Sequence, residues 1–290
     1  MDKLETLHIA TDAFHCDFKH QLCLGHLGND LLNAADIHST SRHFGMSYLN
    51  TMNKTWVLSR LAIELEDMPR EHDHITITTW VESAMKYFTK RNWEILSEDG
   101  KKVYGYAKSI WAMIDTVTRE PQNILLVNDG SIVDYIHAEK ECPIKDVSRV
   151  KTPEMTEYTE FKVEYSDLDV NGHLNSVRYL DHVMNTFPLD FIRNHDIKRV
   201  EIAYVAEGHW NEILRIYHLQ EDELNHYFRF TRMEENGEET AGDASGGDSA
   251  EDTAENTVEE IVEELEKHEA DDVPVIHVEI PDKPDNRTEL

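Results

Sequence analysis

Several chemistries lose their usual signatures at once. The chain has no CxxC, HExxH, GxGxxG or GxxxxGK[ST], which removes the common marks of zinc, dinucleotide and P-loop sites. Cysteine is scarce: Cys16, Cys23 and Cys142 fall in no pairing pattern, as in a protein of a reducing compartment. No apolar run approaches the ~18 residues that would suggest a membrane span. Met1-Asp2-Lys3-Leu4-Glu5 does not resemble a signal peptide, so a cytoplasmic location is expected. Positive charge is also in short supply, with 28 Lys and Arg against 58 Asp and Glu and a formal charge of −30. Residues 234–290 hold 21 acids and 3 bases, leaving 37 acids and 25 bases in residues 1–233, so the body alone is net −12. Such a surface repels a duplex or an anionic membrane, which argues against nucleic-acid partners.

What is present concentrates in Asp167-Leu168-Asp169-Val170-Asn171-Gly172-His173-Leu174-Asn175. Two acids, two amides and an imidazole stand before an apolar, helix-patterned run, a set able to polarise a carbonyl and activate a water. The opening D-x-D-x-N-G also suits a calcium loop, whose twelfth position must be a bidentate Glu. Here that position is Arg178, and the preceding Tyr158–Tyr165 stretch alternates like a strand where a helix is required. The calcium reading therefore fails.

The chain also repeats itself. Phe18-Lys19, Gly25-His26-Leu27 and the helical pattern Leu31, Leu32, Ala35, Ile37 are answered by Phe161-Lys162, Gly172-His173-Leu174 and a second helical pattern. His74–Trp80 answers the stretch from Glu212, and Tyr87-Phe88 answers Tyr227-Phe228, at offsets near 140–147 residues. Each unit reads as a strand, a helix and several long strands. In the second, Val177, Leu180, Met184, Phe187 and Phe191 make one apolar face, and Pro188 should end or kink that helix near Phe187. Strands are expected at Thr55–Glu66, His74–Ser83, Tyr87–Leu96 and Lys102–Asp115, with a turn at Glu98-Asp99-Gly100, and later at about 197–206, 211–219 and 225–233. One helix followed by an antiparallel meander argues for an α+β layout, a sheet wrapped around a helix.

The expected organisation is an N-terminal unit over 1–118, a connector over 119–157 and a second unit over 158–290. Residues 235–256 hold almost nothing apolar and should be a disordered acidic insertion. Val258, Ile261, Val262 and Leu265 suit a short amphipathic helix, and Val273–Ile280 reads as the displaced last strand of the second sheet.

Leu168-Asp169-Val170-Asn171-Gly172-His173-Leu174-Asn175-Ser176-Val177-Arg178-Tyr179 resembles the L-D-V-N-x-H-x-N-x-x-x-Y segment of the acyl-acyl-carrier-protein thioesterases. Glu201–Glu207 resembles the strand that follows it in that family, and Trp56–Arg60 and Ile75–Trp80 resemble its first unit. The similarity covers residues 10–233 and stops at 235–270. It implies two tandem hotdog units, each an antiparallel sheet wrapped around a central helix. It also implies hydrolysis of fatty acyl thioesters of acyl carrier protein, ending chain elongation in fatty acid biosynthesis. Asp169, Asn171, His173 and Glu207 carry over as the catalytic set. Some plant members are credited with a Cys after that Glu; here the position is Gly208, which excludes a cysteine nucleophile there.

For thioester hydrolysis His173 and Glu207 are both candidate general bases. Asn171 could hold the water or an oxyanion, and backbone N–H groups at a helix start near Gly172–Leu174 could stabilise developing charge. No metal or organic cofactor is required. Asn175 reads as a helix cap. Aligned on Gly25 and Gly172, Asp169 and Asn171 fall opposite Leu22 and Leu24, so His26 reads as structural and the first unit as the shaper of the acyl pocket. Carrier protein is acidic; Arg193, Lys198 and Arg199, or Lys140, Lys145, Arg149 and Lys151, are the basic residues available to meet it. An acyl-CoA thioesterase, a dehydratase of the same fold and a non-catalytic acyl-binding protein stay open as alternatives, as does a homodimer.

Overall fold

A computed structural model describes residues 2–147, 150, 153–233 and 272–281. The acidic insertion expected at 235–256 and the run from Val258 to Leu265 lie outside the described residues. In the first half, β1 (Leu4–Ala10) leads to α1 (Leu24–Thr40), the short α2 (Met46–Leu49), and then β2 (Lys54–Leu65), β3 (His74–Ala84), β4 (Phe88–Ser97) and β5 (Val103–Asp115). The second half runs β6 (Tyr158–Lys162), α3 (Arg178–Thr186), α4 (Leu189–Asn194), β7 (Arg199–Ala203), β8 (Ile213–Gln220), β9 (Asn225–Arg232) and β10 (Asp272–Glu279). Among the described residues no helix is long and apolar enough to cross a membrane.

All ten strands form one sheet in the order β1-β3-β4-β5-β2-β7-β10-β9-β8-β6. Read outward from the β2–β7 seam, the halves are images of each other: β5 corresponds to β10, β4 to β9, β3 to β8 and β1 to β6. The long strands follow from dense Ile, Val, Thr and aromatic content. Gly100 closes the β4–β5 hairpin at φ +71°, with the Asp99 carboxylate accepting from the Lys101 N–H at 3.1 Å. The corresponding β9 and β10 are separated by residues 233–271. β10, the strand expected at Val273–Ile280, is the last strand of the second half in sequence and lies between β7 and β9. Without it the seam strand would lose its only partner within the second half among the described residues.

Both helices pack on one face of this sheet, and a single apolar core runs through both halves. Leu27, Leu31, Leu61, Ile77 and Trp93 join Leu180, Val183, Ile202, Phe228 and Ile276 in it. Trp93 is fully buried and its indole N–H donates to the Leu31 carbonyl at 2.8 Å, pinning α1 to β4. Ile37 departs from the expected apolar face: it is exposed at the far end of α1. The second helix stops as Pro188 requires. Phe187 leaves helical geometry at ψ 141°, and Pro188 caps the separate α4.

The stretch after β5 covers the outer face of the first half. Ile124, Val127 and Ile132 pack with Phe44, Leu49 and Met113, and the Trp80 indole donates to the Lys140 carbonyl at 3.0 Å. Both faces of β2 are buried in consequence, which explains its unbroken inward run from Leu58 to Ile63.

The two halves also meet through their helices, at Gly25 and Gly28 of α1. A Cβ built on Gly28 would stand 2.6 Å from the Val177 side chain, and one on Gly25 would meet the flexible Asp181 carboxylate. Val177 is β-branched and fully buried, so it has little room to retreat. Gly28→Val should therefore lower stability by about 1–3 kcal/mol through overpacking, read as a fall in the denaturant midpoint. An unchanged midpoint would mean the helices can separate freely.

Two buried histidines give the fold an acid limit. His226 lies between Phe187 and Phe191, with ring centroids at 5.1 and 5.5 Å. Burial first, and the neighbouring His218 second, lower its pKa to about 4. His38 is pushed down to about 3 by burial and then by Arg91 and Arg42. Both are neutral when folded, whereas the unfolded chain takes up protons below about pH 6.5. Stability is thus at its plateau above that pH and falls as pH drops towards 4, by up to ~1.4 kcal/mol per pH unit for each histidine. Urea midpoints between pH 7.5 and 4.5 should show this slope, and His226→Gln should make it shallower.

Candidate active site

The Asp167–Asn175 segment folds as a braced loop. The Asp169 carboxylate accepts from the backbone N–H of Asn171 at 2.8 Å and of His173 at 3.1 Å, while the Asp169 N–H donates to the His173 carbonyl at 2.8 Å. Gly172 turns the chain at φ +82°, a conformation costly for other residues. Asn171 is exposed, with its amide 3.5 Å from Asp169. Asp169 therefore acts on the loop that carries His173; its direct partners are backbone amides.

The helix does not start where the sequence suggested. The N–H groups of Gly172, His173 and Leu174 are all taken, by the Asp169 carbonyl, the Asp169 carboxylate and the Gly208 carbonyl respectively. They form no oxyanion cradle at a helix end, and α3 begins only at Arg178. Asn175 is not the helix cap the sequence suggested: the N-cap is Val177, with no side chain bonded to the first turn. Asn175 instead accepts from the Val177 N–H at 3.1 Å in the turn before the helix. Its amide also approaches Asn29 of α1 at 3.5 Å.

A second loop, following β7, is stitched to the first. Leu174 donates to the Gly208 carbonyl at 2.7 Å, which brings Glu207 to His173: Oε1 lies 3.7 Å from Nδ1. Gly208 sits against Leu174 and Tyr179, where a Cβ would fall 3.0–3.1 Å from their side chains. A cysteine there would have to displace this packing.

Three residues that sequence reading passed over complete the arrangement. Arg119, at a left-handed φ of +64° in the turn after β5, places Nη2 at 2.9 Å from Glu207 Oε2. Glu207 is thus bracketed, with one oxygen towards the imidazole and the other on a guanidinium from the opposite half. Arg232 donates to the Glu207 carbonyl. His209 lies edge-on to His173 with centroids 5.2 Å apart, and its Nδ1 is 3.2 Å from Glu212. The only local signal for His209 was its position two residues after Glu207. Arg119 had none, because a turn in the other half brings it near.

His173, Glu207 and His209 could each offer a ligand atom to a metal, all within 4.8 Å of one another. That spread exceeds the ~3.3 Å edge of a tetrahedral zinc shell with ~2.0 Å bonds, and Arg119 already supplies positive charge to Glu207.

His173, Glu207, Asp169 and Asn171 line one side of a cavity of about 1040 Å³. The first half contributes Leu32, Ala35, Phe44, Trp56, Leu58 and Trp111 among its walls. His26, which the sequence paired with His173, lies inside α1, stacks on His15 at 4.1 Å and takes no part in this lining. The residue placed like His173 is Gln21, whose N–H and carbonyl both bond Asp17. Of the basic residues expected to meet an acidic partner, Arg199 is buried between Glu64 and Glu201 and Arg193 pairs with Asp190. Lys140 pairs with Glu94 and Lys198 donates to the carbonyls of Leu65 and Glu66, while Lys145 is exposed. Arg149 and Lys151 lie outside the described residues.

Comparison with known proteins agrees with this architecture. The acyl-ACP thioesterase N-terminal domain family matches residues 7–126, and its C-terminal domain family matches residues 150–245. An acyl-ACP thioesterase from Bacteroides thetaiotaomicron shares 35% identity and superposes with a TM-score of 0.79, over 96% of this chain and 98% of that one. The 12:0-ACP thioesterase from Umbellularia californica has the same fold at 16% identity and a TM-score of 0.74, covering 98% and 99%. Oleoyl-acyl carrier protein thioesterase 2 from Arabidopsis thaliana is 28% identical over 59% of this chain and 49% of its own length. The chain thus spans about half the length of the curated relatives it matches. Two hotdog units in tandem, matched along both halves, place this chain in the acyl-ACP thioesterase family.

Proposed function

We propose that the protein hydrolyses fatty acyl thioesters of acyl carrier protein, with His173 as general base. The observation that carries this reading is the single cavity that joins the His173–Glu207 pair to apolar walls from the other half. The names of its relatives, each an acyl-carrier-protein thioesterase, supply the carrier.

The steps follow from the geometry. Glu207 faces His173 Nδ1, which favours a proton on that nitrogen and leaves Nε2 to accept one from water. Attack on the thioester carbon gives a tetrahedral oxyanion. Its collapse breaks the C–S bond, and the imidazolium returns its proton to the departing thiolate, so acid and thiol leave with the histidine neutral again. Glu207 is poorly placed to take that proton itself, because its two oxygens face Arg119 and His173. Its part is to orient the ring and balance the imidazolium charge. Asp169 holds the loop, and Asn171 is the amide beside it.

Thiol release measured with acyl carrier protein and CoA substrates tests the reaction and the carrier together. His173→Ala should lower kcat by about two orders of magnitude or more with the fold retained. His26→Ala should stay within a few-fold. Full turnover in the first variant, or collapse in the second, would overturn the assignment.

Arg119 gives a separate handle. Arg119→Ala should lower kcat about tenfold, the scale of one charge-assisted hydrogen bond, with little change in KM. The double variant Arg119→Ala, Glu207→Gln should be no slower than Glu207→Gln alone, since the two residues act as a unit. Additive losses would show that Arg119 works through something other than Glu207.

A further inference from the structure

The cavity wall contributed by the first half is not uniformly apolar. Arg91 of β4 lines it together with His38, Ser39, Arg42 and Thr89, and Arg91 is only 6% exposed. Its guanidinium donates to Thr79 Oγ1 at 3.2 Å and Ser39 Oγ at 3.1 Å, and meets His38 Nδ1 at 3.3 Å. Every one of these partners is neutral. His38 Nε2 is 3.3 Å from the Lys3 carbonyl, which places the ring proton on Nε2 and leaves Nδ1 as the acceptor for Arg91.

No carboxylate among the described residues pairs with Arg91. The charged group that acts on it is a like one, Arg42, which is itself held by Glu5 at 3.2 Å and by the His38 carbonyl at 2.8 Å. Asp36 also lines the cavity, but it is exposed and engaged by Thr40 at 3.5 Å. The C-terminal turn of α1, where His38 and Ser39 sit, favours a cation nearby. That is a partial offset for a charge this deeply buried, because buried charges are ordinarily paired. A plain hydrocarbon chain would add nothing to it.

We propose that this region of the cavity recognises a carboxylate at the distal end of the acyl chain, so that the protein favours carboxylate-terminated acyl thioesters over methyl-terminated ones of equal length. The apolar residues Leu32, Leu58 and Trp111 would flank the methylenes, and Arg91 and Ser39 would receive the terminal oxygens, the guanidinium as a fork-shaped donor. This specificity rests on the thioesterase reading above.

The test compares carrier-protein thioesters of one chain length ending in methyl, hydroxyl or carboxylate, with the full-length protein. The carboxylate chain should have a kcat/KM at least tenfold above the methyl chain, with the hydroxyl chain between them. Arg91→Met should bring the carboxylate-to-methyl ratio near or below one, and Arg91→Lys should keep part of the preference. A methyl-terminated chain preferred by the unaltered protein, or an unchanged ratio in Arg91→Met, overturns the proposal while leaving the hydrolase reading intact. Should Arg91→Met not fold, the unaltered protein and Arg91→Lys decide the matter.

If no thioester is cleaved, the hydrolase reading fails and binding decides the site. Trp56 and Trp111 line the cavity, so their fluorescence can report titration with the monomethyl ester of a dicarboxylic acid against the methyl ester of the matching fatty acid. Tighter binding of the first, lost in the Arg91 variants, supports the site; equal binding overturns it.

Discussion

The pairing of β2 with β7 is the constraint on which the site depends. Arg60 to Glu64 run antiparallel to Ala203 to Arg199, and this seam turns two half-sheets into one. It extends one residue further, through the Tyr204 N–H donating to the Ser59 carbonyl at 2.8 Å, before the chain leaves towards Glu207. On its other side β2 pairs with β5 along its whole length, ending at Lys54 opposite Asp115. The turn after Asp115 carries Arg119. The seam therefore fixes the bases of two short segments, one from each half, whose tips bring Arg119 and Glu207 together. Such a contact between exposed side chains contributes little stability by itself. The backbone ladder behind it sets the distance.

The two halves are equivalent helix-and-sheet units, and they differ in what each gives the cavity. Asp17 accepts from the N–H groups of Lys19 and Gln21 in the first unit as Asp169 does from those of Asn171 and His173 in the second. The places of Asp169 and Asn171 are therefore held by Asp17 and Lys19 and not, as the sequence alignment on the glycines had it, by Leu22 and Leu24. The braced loop is kept in both units, and what differs is its cargo: Gln21 bridges Arg70 where His173 bridges His209, while His26 lies further on, inside α1, stacked on His15. The helices diverged in length as well. α1 runs from Leu24 to Thr40, whereas the second helix is cut at Pro188. The longer helix provides Leu32, Ala35 and Ser39 to the cavity, which the shorter one could not reach in the same way.

Periodicity and punctuation were enough to read most of the framework. Long β-branched runs gave the strands, Gly100 the hairpin and Pro188 the end of α3, because each of these acts locally. The cluster around His173 was legible for the same reason, being carried on nine consecutive residues. What failed were inferences that needed to know where backbone donors go. Gly172 to Leu174 looked like a helix start, yet Asp169 and Gly208 claim their N–H groups and Asn175 delays the helix. Arg119, Arg91 and the interior position of β10 were invisible because each is defined by a partner distant in sequence. Ile37 was grouped with Leu31, Leu32 and Ala35, but the buried face of α1 runs through Leu31, Ala34, Ala35 and His38 and leaves Ile37 in water.

Charge distribution ties these points together. The chain carries 58 acids against 28 bases, yet its cavity is lined by Arg42, Arg91, Arg119 and Arg232 and by only Asp36, Asp169 and Glu207 among acids. At physiological salt the field of exposed charge fades over ~8 Å, so acids elsewhere on the surface contribute little inside. Within a partly closed, low-dielectric space the local charges dominate instead. Glu207 pairs with Arg119, Glu212 with Arg232 and Glu5 with Arg42, so among these arginines Arg91, on the first half, is the one without a carboxylate partner among the described residues. On the proposals above, a terminal carboxylate goes to that wall and the thioester to the imidazole, so one charge contrast orients the extended chain.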